Sequence, residues 1–220
     1  MEKAIARAAT LNLVDYAEYS SAEINQRISN MFSSLNGAAD MIAREENIQS
    51  PQIMMMLRRN AEHMPYDRIA VALPNGRSLS SDFHYNNVKD REYFRKALSG
   101  IPNISDVLIS NHTGDDVIAF AVPVKGYDGV RGVLYASFDR ENFSAIFFSP
   151  LFGGKGYSYV VDQKGVVLLA PTGREEAVFR DTSSIFKETD RIGTKYETLR
   201  RSMEKDMEAH KSNVSRYDAG

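Results

Sequence analysis

The sequence predicts an α+β fold in which a long N-terminal helix packs on a five-stranded antiparallel sheet, followed by a partial second module of the same kind. Three observations predict it. Apolar residues up to position 42 recur at steps of three and four, which is the period of a helix. After residue 66 the pattern changes to short apolar runs separated by glycine-containing turns, which are typical of strands. A strand–turn–strand segment near residue 70 then recurs near residue 160.

The first element is a helix of some 40 residues, because the apolar stripe of Ala22–Ile42 continues backwards through Val14, Leu11, Ala8 and Ile5. Ordinary helices have about 11–12 residues, so we expect the distal end of this one to pack against a partner helix in a homodimer. We assign residues 1–50 to this helical domain. The stripe consists of Ile24, Ile28, Met31, Phe32, Leu35, Ala38, Ala39 and Ile42, and we expect Ile28, Phe32, Leu35 and Ile42 to be buried.

A second helix is predicted over Ile53–Met64. Ser50 provides a side-chain oxygen that caps a helix N-terminus, and Pro51 fits the first helical position. Three consecutive methionines at positions 54–56 are interpreted as filling the core.

Five strands and a short helix complete a module that we place at residues 51–148. Pro74-Asn75-Gly76 predicts the turn of a hairpin. The short helix covers Asp90–Leu98 and is ended by Ser99-Gly100. The strands are predicted at Arg68–Leu73, Ser78–Ser81, Asp106–Ser110, Asp116–Val124 and Gly132–Asp139.

The hairpin pattern recurs beyond a glycine-rich joint at Pro150–Gly156. Tyr157–Val161 and Val166–Ala170 are predicted strands, and an apolar stripe at helical spacing follows over residues 196–207. The three closing strands of the first module have no counterpart in the sequence given. We therefore expect residues 149–220 to form only part of a second module.

Composition excludes several functional classes. Of the 220 residues, 43% are hydrophobic and 10% aromatic, so disorder of the whole chain is excluded. The 27 basic and 29 acidic residues give a net charge of −2 without a basic block, so we expect no nucleic-acid partner. There is no cysteine, which excludes disulfides and thiolate metal sites. No segment reaches the ~20 apolar residues of a transmembrane helix.

Five short segments follow one another in the first module: Asp90-Arg91-Glu92-Tyr93-Phe94, Ile104-Ser105-Asp106, Thr113-Gly114, Ala121-Val122-Pro123-Val124 and Gly132-Val133-Leu134. In this order and spacing they resemble Cache domains, the extracytoplasmic PAS-like sensor modules of bacterial chemoreceptors, histidine kinases and diguanylate cyclases. The resemblance covers residues 20–148, and the second hairpin is similar to the start of the membrane-proximal half of a double Cache.

This resemblance implies a PAS-like sheet and a ligand-sensing input domain that is not itself an enzyme. It also implies a membrane anchor on either side of this sequence, a cytoplasmic output domain beyond it, and a location on the periplasmic or extracellular side of the cell membrane. We expect a small-molecule ligand, a homodimer and no cofactor.

The resemblance also implies a binding site. In the amino-acid-binding branch of the family, an arginine on the short helix binds the ligand carboxylate, and two neighbouring aromatic side chains form the pocket wall. Arg91, Tyr93 and Phe94 stand at these positions. A planar guanidinium binds a carboxylate through two parallel hydrogen bonds, and the rings beside it exclude water.

The same branch holds the ligand ammonium with a tyrosine and an aspartate on the third strand and an aspartate on the fifth. This sequence has Leu108, Ser110 and Ser137 there. An ammonium group would therefore lack a counter-ion, which favours a carboxylate or another small polar molecule over an α-amino acid. Tyr135 shares a strand face with Ser137 by period-two alternation. The predicted ligand-binding residues are Arg91, Tyr93, Phe94, Ser110, Tyr135 and Ser137.

Two other hypotheses stay open. The first is a ligand-free structural or dimerisation module of a membrane receptor. The second is an enzyme, for example a hydrolase using His84 or His112 with Asp116, although the sequence provides no nucleophile–base–orienter set. His84 and His112 are 28 positions apart without a metal-ligand spacing, so we expect solvated loop histidines and no metal.

Overall fold

The computed structural model describes residues 2–62, 66–147, 160, 161, 167–169, 201 and 205. The chain divides into two compact units, one of which is Ile28–Phe147 and the other Met1–Arg27 with Phe148–Gly220. The predicted joint at Pro150–Gly156 lies outside the described residues. Of the predicted stripe at 196–207, residues 201 and 205 are described and both are helical. The domain bounds expected from the sequence, at residues 50 and 148, stay a prediction.

Helix α1 runs from Glu2 to Ile42, as the apolar period predicts. Between Ile24 and Ile42 every side chain of the predicted stripe is buried or half-buried, and every side chain off the stripe is exposed. The ring of Phe32 contacts the ring of Phe120 on the sheet, with centroids 5.3 Å apart. The stripe is therefore the face that packs on the sheet. Its buried members are Met31, Leu35, Ala39 and Ile42, and its half-buried members are Ile24, Ile28, Phe32 and Ala38.

Helix α2 runs from Pro51 to Ala61 and has the predicted cap. The Ser50 hydroxyl oxygen accepts a hydrogen bond of 3.3 Å from the backbone N–H of Ile53. The interpretation of all three methionines as core is wrong, because Met54 is buried whereas Met55 is exposed. Successive residues of a helix point about 100° apart, so three consecutive side chains cannot share one buried face.

One antiparallel sheet forms the centre of the module. Its strands are β1 (Arg68–Ala72), β2 (Arg77–Ser80), β3 (Tyr85–Asn87), β4 (Asn103–Ile104), β5 (Leu108–Ile109), β6 (Asp116–Gly126) and β7 (Gly129–Asp139). The order across the sheet is β3-β2-β1-β7-β6-β4, and β5 also pairs with β6. All these pairs are antiparallel.

The predicted α+β class is confirmed, but the sheet has seven strands instead of five. The third predicted strand is shortened to β5, and β4 precedes it on the same partner, β6. The two strands that were not predicted are β4 and β3, and β3 lies at the edge of the sheet. Strands of two or three residues are too short to show an alternating pattern, so the sequence does not reveal them.

The two faces of the sheet carry different side chains because neighbouring residues of a strand point in opposite directions. Phe120 and Phe138 pack together on the face towards α1, with ring centroids 5.2 Å apart. Helix α3 (Glu92–Leu98) covers the other face, where it contacts β6 and β7. This face is built from small side chains around one large aromatic residue, namely Ala70, Ala72, Ala119, Ala121, Val133 and Tyr135.

The connection between α1 and α2 is fastened to β7. The Arg131 guanidinium donates hydrogen bonds to the backbone oxygens of Ala43, Glu45 and Glu46 at 2.9, 2.7 and 2.7 Å. At Gly132 a Cβ atom would lie 2.5 Å from the backbone oxygen of Ala72, so a larger residue does not fit there. The C-terminal end of α1 is thus held by a central strand.

The module closes with helix α4 (Arg140–Phe147). Further along the chain, β8 (Val160–Val161) and β9 (Val167–Leu169) pair antiparallel, which agrees with the predicted second hairpin. Among the described residues, no helix combines the length and the hydropathy that a membrane span needs.

Candidate functional site

A cavity of about 100 Å³ lies on the face of the sheet that α3 covers. Pockets for drug-sized ligands usually have about 300–1,000 Å³, so this one suits a small molecule. Side chains of β1, β2, β6 and β7 contribute to it, together with the start of α3 and the loop after β5. Five of the six residues predicted from the sequence line it: Arg91, Tyr93, Ser110, Tyr135 and Ser137.

Phe94, the sixth predicted residue, does not line this cavity. Its side chain is 1% exposed and belongs to the hydrophobic core with Ala97. Phe94 follows Tyr93 on α3, and a helix turns about 100° between neighbours. Tyr93 therefore faces the cavity, and Phe94 packs in the core.

Two tyrosines contribute hydroxyl groups to the cavity. The hydroxyl of Tyr135 forms a hydrogen bond of 2.8 Å with that of buried Ser78, and the rings of Tyr93 and Tyr135 lie 5.4 Å apart. Burial raises the pKa of Tyr93, and the neighbouring Tyr135 raises it further. Burial likewise raises the pKa of Tyr135. Both side chains are therefore neutral phenols at physiological pH, with O–H groups that can donate to an anion.

Two arginines stand at the cavity, each anchored by one terminal nitrogen. Arg91 Nη2 donates a hydrogen bond of 2.9 Å to the backbone oxygen of Ile109 and another to Asn111 Oδ1. Arg68 Nη2 donates to Asp82 Oδ2 at 2.9 Å. A guanidinium has five N–H donors in a planar fork, so these anchors orient the groups and involve only a part of their donor capacity. No local sequence pattern marks Arg68 as a residue of the cavity.

The side chains that line the cavity include basic groups. Arg68, Arg91, His84 and His112 line it, whereas no aspartate or glutamate does so in the described part of the chain. Arg68 is paired with Asp82 at 2.9 Å, whereas Arg91 donates to the uncharged groups of Ile109 and Asn111, so the positive charge of Arg91 is the one that favours an anion.

The predicted serines have different surroundings. Ser110 Oγ accepts hydrogen bonds from the backbone N–H groups of His112 and Thr113, at 3.2 and 3.3 Å, and so shapes the loop after β5. Ser137 is half-buried on the same strand face as Tyr135, as the alternation predicts.

His84 and His112 are exposed loop residues, as expected, but they also come together at the rim of the cavity, which the sequence does not predict. Their ring centroids are 4.7 Å apart, and His84 Nδ1 lies 3.2 Å from Asp82 Oδ2. The acid that accompanies them is thus Asp82; the acid named in the enzyme hypothesis, Asp116, pairs with Arg140 at 3.6 Å. Only the pairing of strands brings together two loops that lie this far apart in sequence.

A second cavity of about 260 Å³ shares Arg91, Tyr93 and Leu108 with the first. Its lining contains the carboxylates of Asp90, Glu92 and Asp106. These negative charges disfavour an anion, so the first cavity is the better candidate for a carboxylate.

Comparison with known protein families gives a match to the Cache domain over residues 1–214. The match covers both predicted modules.

Several solved structures are similar to this chain. The ligand-binding domain of the amino-acid chemoreceptor PctC of Pseudomonas aeruginosa, in complex with GABA, has a TM-score of 0.64 and 16% identity, covering 74% of this chain and 77% of its own. The sensory domain of the Campylobacter jejuni chemoreceptor CcmL, with isoleucine bound, has a TM-score of 0.64 and 15% identity, with coverage of 79% and 74%. The ligand-binding domain of the Pseudomonas fluorescens chemoreceptor CtaA, in complex with L-alanine, has a TM-score of 0.63 and 20% identity, with coverage of 79% and 81%. These likenesses confirm the fold.

Proposed function

The chain belongs to the Cache family of sensor domains, and from this we propose that it is the extracytoplasmic input domain of a bacterial receptor that detects a small organic acid. The resemblance noted in its five sequence segments is confirmed. Cache domains of chemoreceptors are extracytoplasmic sensory modules and not enzymes. The choice of ligand depends on one observation: two arginines and no carboxylate line the cavity in the described part of the chain.

Arg91 is the proposed carboxylate anchor. It stands immediately before α3, and its contacts with Ile109 and Asn111 hold the guanidinium in place before a ligand arrives. Both contacts use Nη2, so a carboxylate could accept charge-assisted hydrogen bonds from Nε or Nη1. The hydroxyls of Tyr93 and Tyr135 are further donors for the same anion, and Ser110 and Ser137 provide neutral partners for the rest of the ligand.

An α-amino acid fits this cavity less well than an organic acid. The carboxylate at the rim, Asp82, is already paired with Arg68 at 2.9 Å and lies 3.2 Å from His84. An ammonium taken out of water there would lack a carboxylate of its own, which costs several kcal/mol. The proteins of similar fold were solved with GABA, isoleucine or L-alanine. We therefore propose that this chain shares their architecture and differs from them in ligand class.

The proposed signal is a shift in the population of two arrangements of α1. In the full receptor, a homodimer through α1 would be tethered to the membrane, and a ligand would favour the arrangement that closes the cavity. The shift can be no larger than the ligand's difference in affinity for the two arrangements.

A ligand screen tests this function. We expect thermal-shift and calorimetric titrations of the chain to find a stabiliser among acetate, propionate, lactate, pyruvate and small dicarboxylates, with little response to amino acids. At a hundredfold excess over its Kd, a ligand adds about 2.7 kcal/mol of stability. The midpoint Tm should then rise by several degrees.

A matched pair of variants tests the anchor. Arg91→Lys keeps the charge but removes the planar guanidinium, with both its anchoring contacts and its remaining donors, so we expect the calorimetric Kd to rise by about tenfold, or ~1.4 kcal/mol. Arg95→Lys makes the same change one turn later on α3, at an exposed position, and should leave Kd unchanged. Equal affinities of both variants would refute the role of Arg91. Binding of amino acids alone would overturn the ligand class, and a folded chain that binds neither class would favour the ligand-free dimerisation module.

A further inference from the structure

Two loops bring two imidazoles and one carboxylate together at the rim of the cavity. The ligand atoms of Asp82, His84 and His112 all lie within 4.8 Å of one another. We propose that these three residues form a binding site for a divalent transition-metal ion of the zinc type. This site does not depend on the identity of the organic ligand, since none of the three residues belongs to the proposed carboxylate anchor.

One of the distances already fits such an ion. Zinc lies about 2.0–2.2 Å from imidazole nitrogen and carboxylate oxygen, so neighbouring ligands of a tetrahedral ion are ~3.3 Å apart. His84 Nδ1 and Asp82 Oδ2 are already 3.2 Å apart. His112 is exposed, and rotation of its side chain would complete the set.

The donor chemistry selects the class of metal. Two imidazoles and one carboxylate are ligands of zinc, copper and nickel, whereas calcium and magnesium prefer sites made of oxygen alone. The chain has no cysteine and four histidines, and two of these histidines meet here. Three protein ligands would leave a fourth position for water or for a ligand.

Neighbouring groups hold the proposed ligands in place. Ser80 Oγ donates to Asp82 Oδ1, and Arg68 donates to Oδ2 of the same carboxylate. Ser80 Oγ also accepts the backbone N–H of His84 at 3.3 Å. Carboxylate ligands of metals usually have such hydrogen bonds. The positive charge of Arg68 opposes a cation, so we expect weaker binding than at a closed structural zinc site.

Calorimetric titration of the chelator-treated chain tests the proposal. We expect one zinc ion per chain, with binding also of nickel or copper and none of calcium or magnesium. The double variant His84→Ala/His112→Ala should lose affinity by more than about tenfold. The matched control is His63→Ala/His210→Ala, which removes the other two histidines of the sequence and should bind zinc as the unmodified chain does.

A spectroscopic readout locates the ion. Zinc should shift the imidazole NMR signals of His84 and His112, and Asp82→Asn should weaken the effect while circular dichroism and Tm show a folded protein. The same shifts should occur in Arg91→Lys. The metal-site proposal can therefore be confirmed even if the organic-acid hypothesis fails. Absence of zinc binding, or equal losses in the two double variants, would overturn the metal site.

Discussion

At the scale of single residues, the tyrosines of the cavity connect its geometry to the stability of the protein. Tyr93 is 5% exposed, and its pKa is raised by burial and by Tyr135. A tyrosine in the unfolded chain ionises near pH 10. The folded state therefore holds the phenolic proton more tightly than the unfolded state does.

This linkage predicts how stability depends on alkaline pH. The stabilising effect of the raised pKa is fully present below about pH 10 and is lost as the pH rises from there towards the folded-state pKa. Over this pH range the folded state binds one proton more than the unfolded state. The free energy of unfolding therefore falls by about 1.4 kcal/mol per pH unit. Tyr93→Phe removes this group, so urea unfolding of the variant should depend less steeply on pH above 10 than that of the unmodified chain.

The control for this prediction is Tyr85→Phe, because Tyr85 is 70% exposed. It should follow the pH dependence of the unmodified chain. Parallel curves for the unmodified chain and Tyr93→Phe would contradict the link between burial and titration.

Sequence reasoning identified those residues of the cavity that follow a local pattern. Arg91, Tyr93, Ser110 and Ser137 came from the resemblance to Cache domains, and Tyr135 came from strand alternation with Ser137. Arg68 and the His84–His112 pair were missed because strand pairing, which the sequence does not specify in detail, puts them at the cavity. Phe94 was assigned to the ligand because a motif does not say which neighbour on a helix turns into the core.

At the scale of elements, α1 stabilises the sheet through one narrow face. Leu35 is 2% exposed on that face, whereas Met41 is 56% exposed on the same helix. We expect Leu35→Ala to lower the free energy of unfolding by about 2–5 kcal/mol, because it leaves a cavity between helix and sheet. Met41→Ala shortens a side chain in solvent and should change the free energy of unfolding by less than about 0.5 kcal/mol. Urea denaturation of both variants is the measurement, and similar losses would mean that α1 does not pack as described.

Predictability differed between elements for a physical reason. The 41 residues of α1 repeat their pattern many times, so its existence and its buried face could both be predicted. The edge strand β3 and the two-residue strand β4 are held by pairing with their neighbours. An alternating pattern of apolar and polar residues is recognisable only over several residues, so it cannot reveal such short strands.

At the scale of the whole molecule, the apolar period of α1 continues beyond the part that packs on the sheet. We expect the chain to form a dimer through the predicted stripe of Ile5, Ala8, Leu11 and Val14. Analytical ultracentrifugation should show reversible association that Leu11→Asp weakens strongly. Thr10→Asp introduces the same charge at the neighbouring position, off the stripe, and should weaken it much less. A chain that sediments as a monomer at every concentration would exclude this dimer.

The hydrogen bonds of Arg131 to the loop after α1 have a mechanical consequence. Tyr135 in the cavity and Arg131 are four residues apart on β7, about 13 Å along a strand. Hydrogen bonding to β1 on one side and β6 on the other makes this strand stiff. We therefore expect a displacement of the cavity floor to be transmitted along β7 to Ala43, Glu45 and Glu46, directly after α1. The 41 residues of α1 span ~60 Å. In a straight helix of that length, one degree of tilt at one end corresponds to a displacement of about 1 Å at the other.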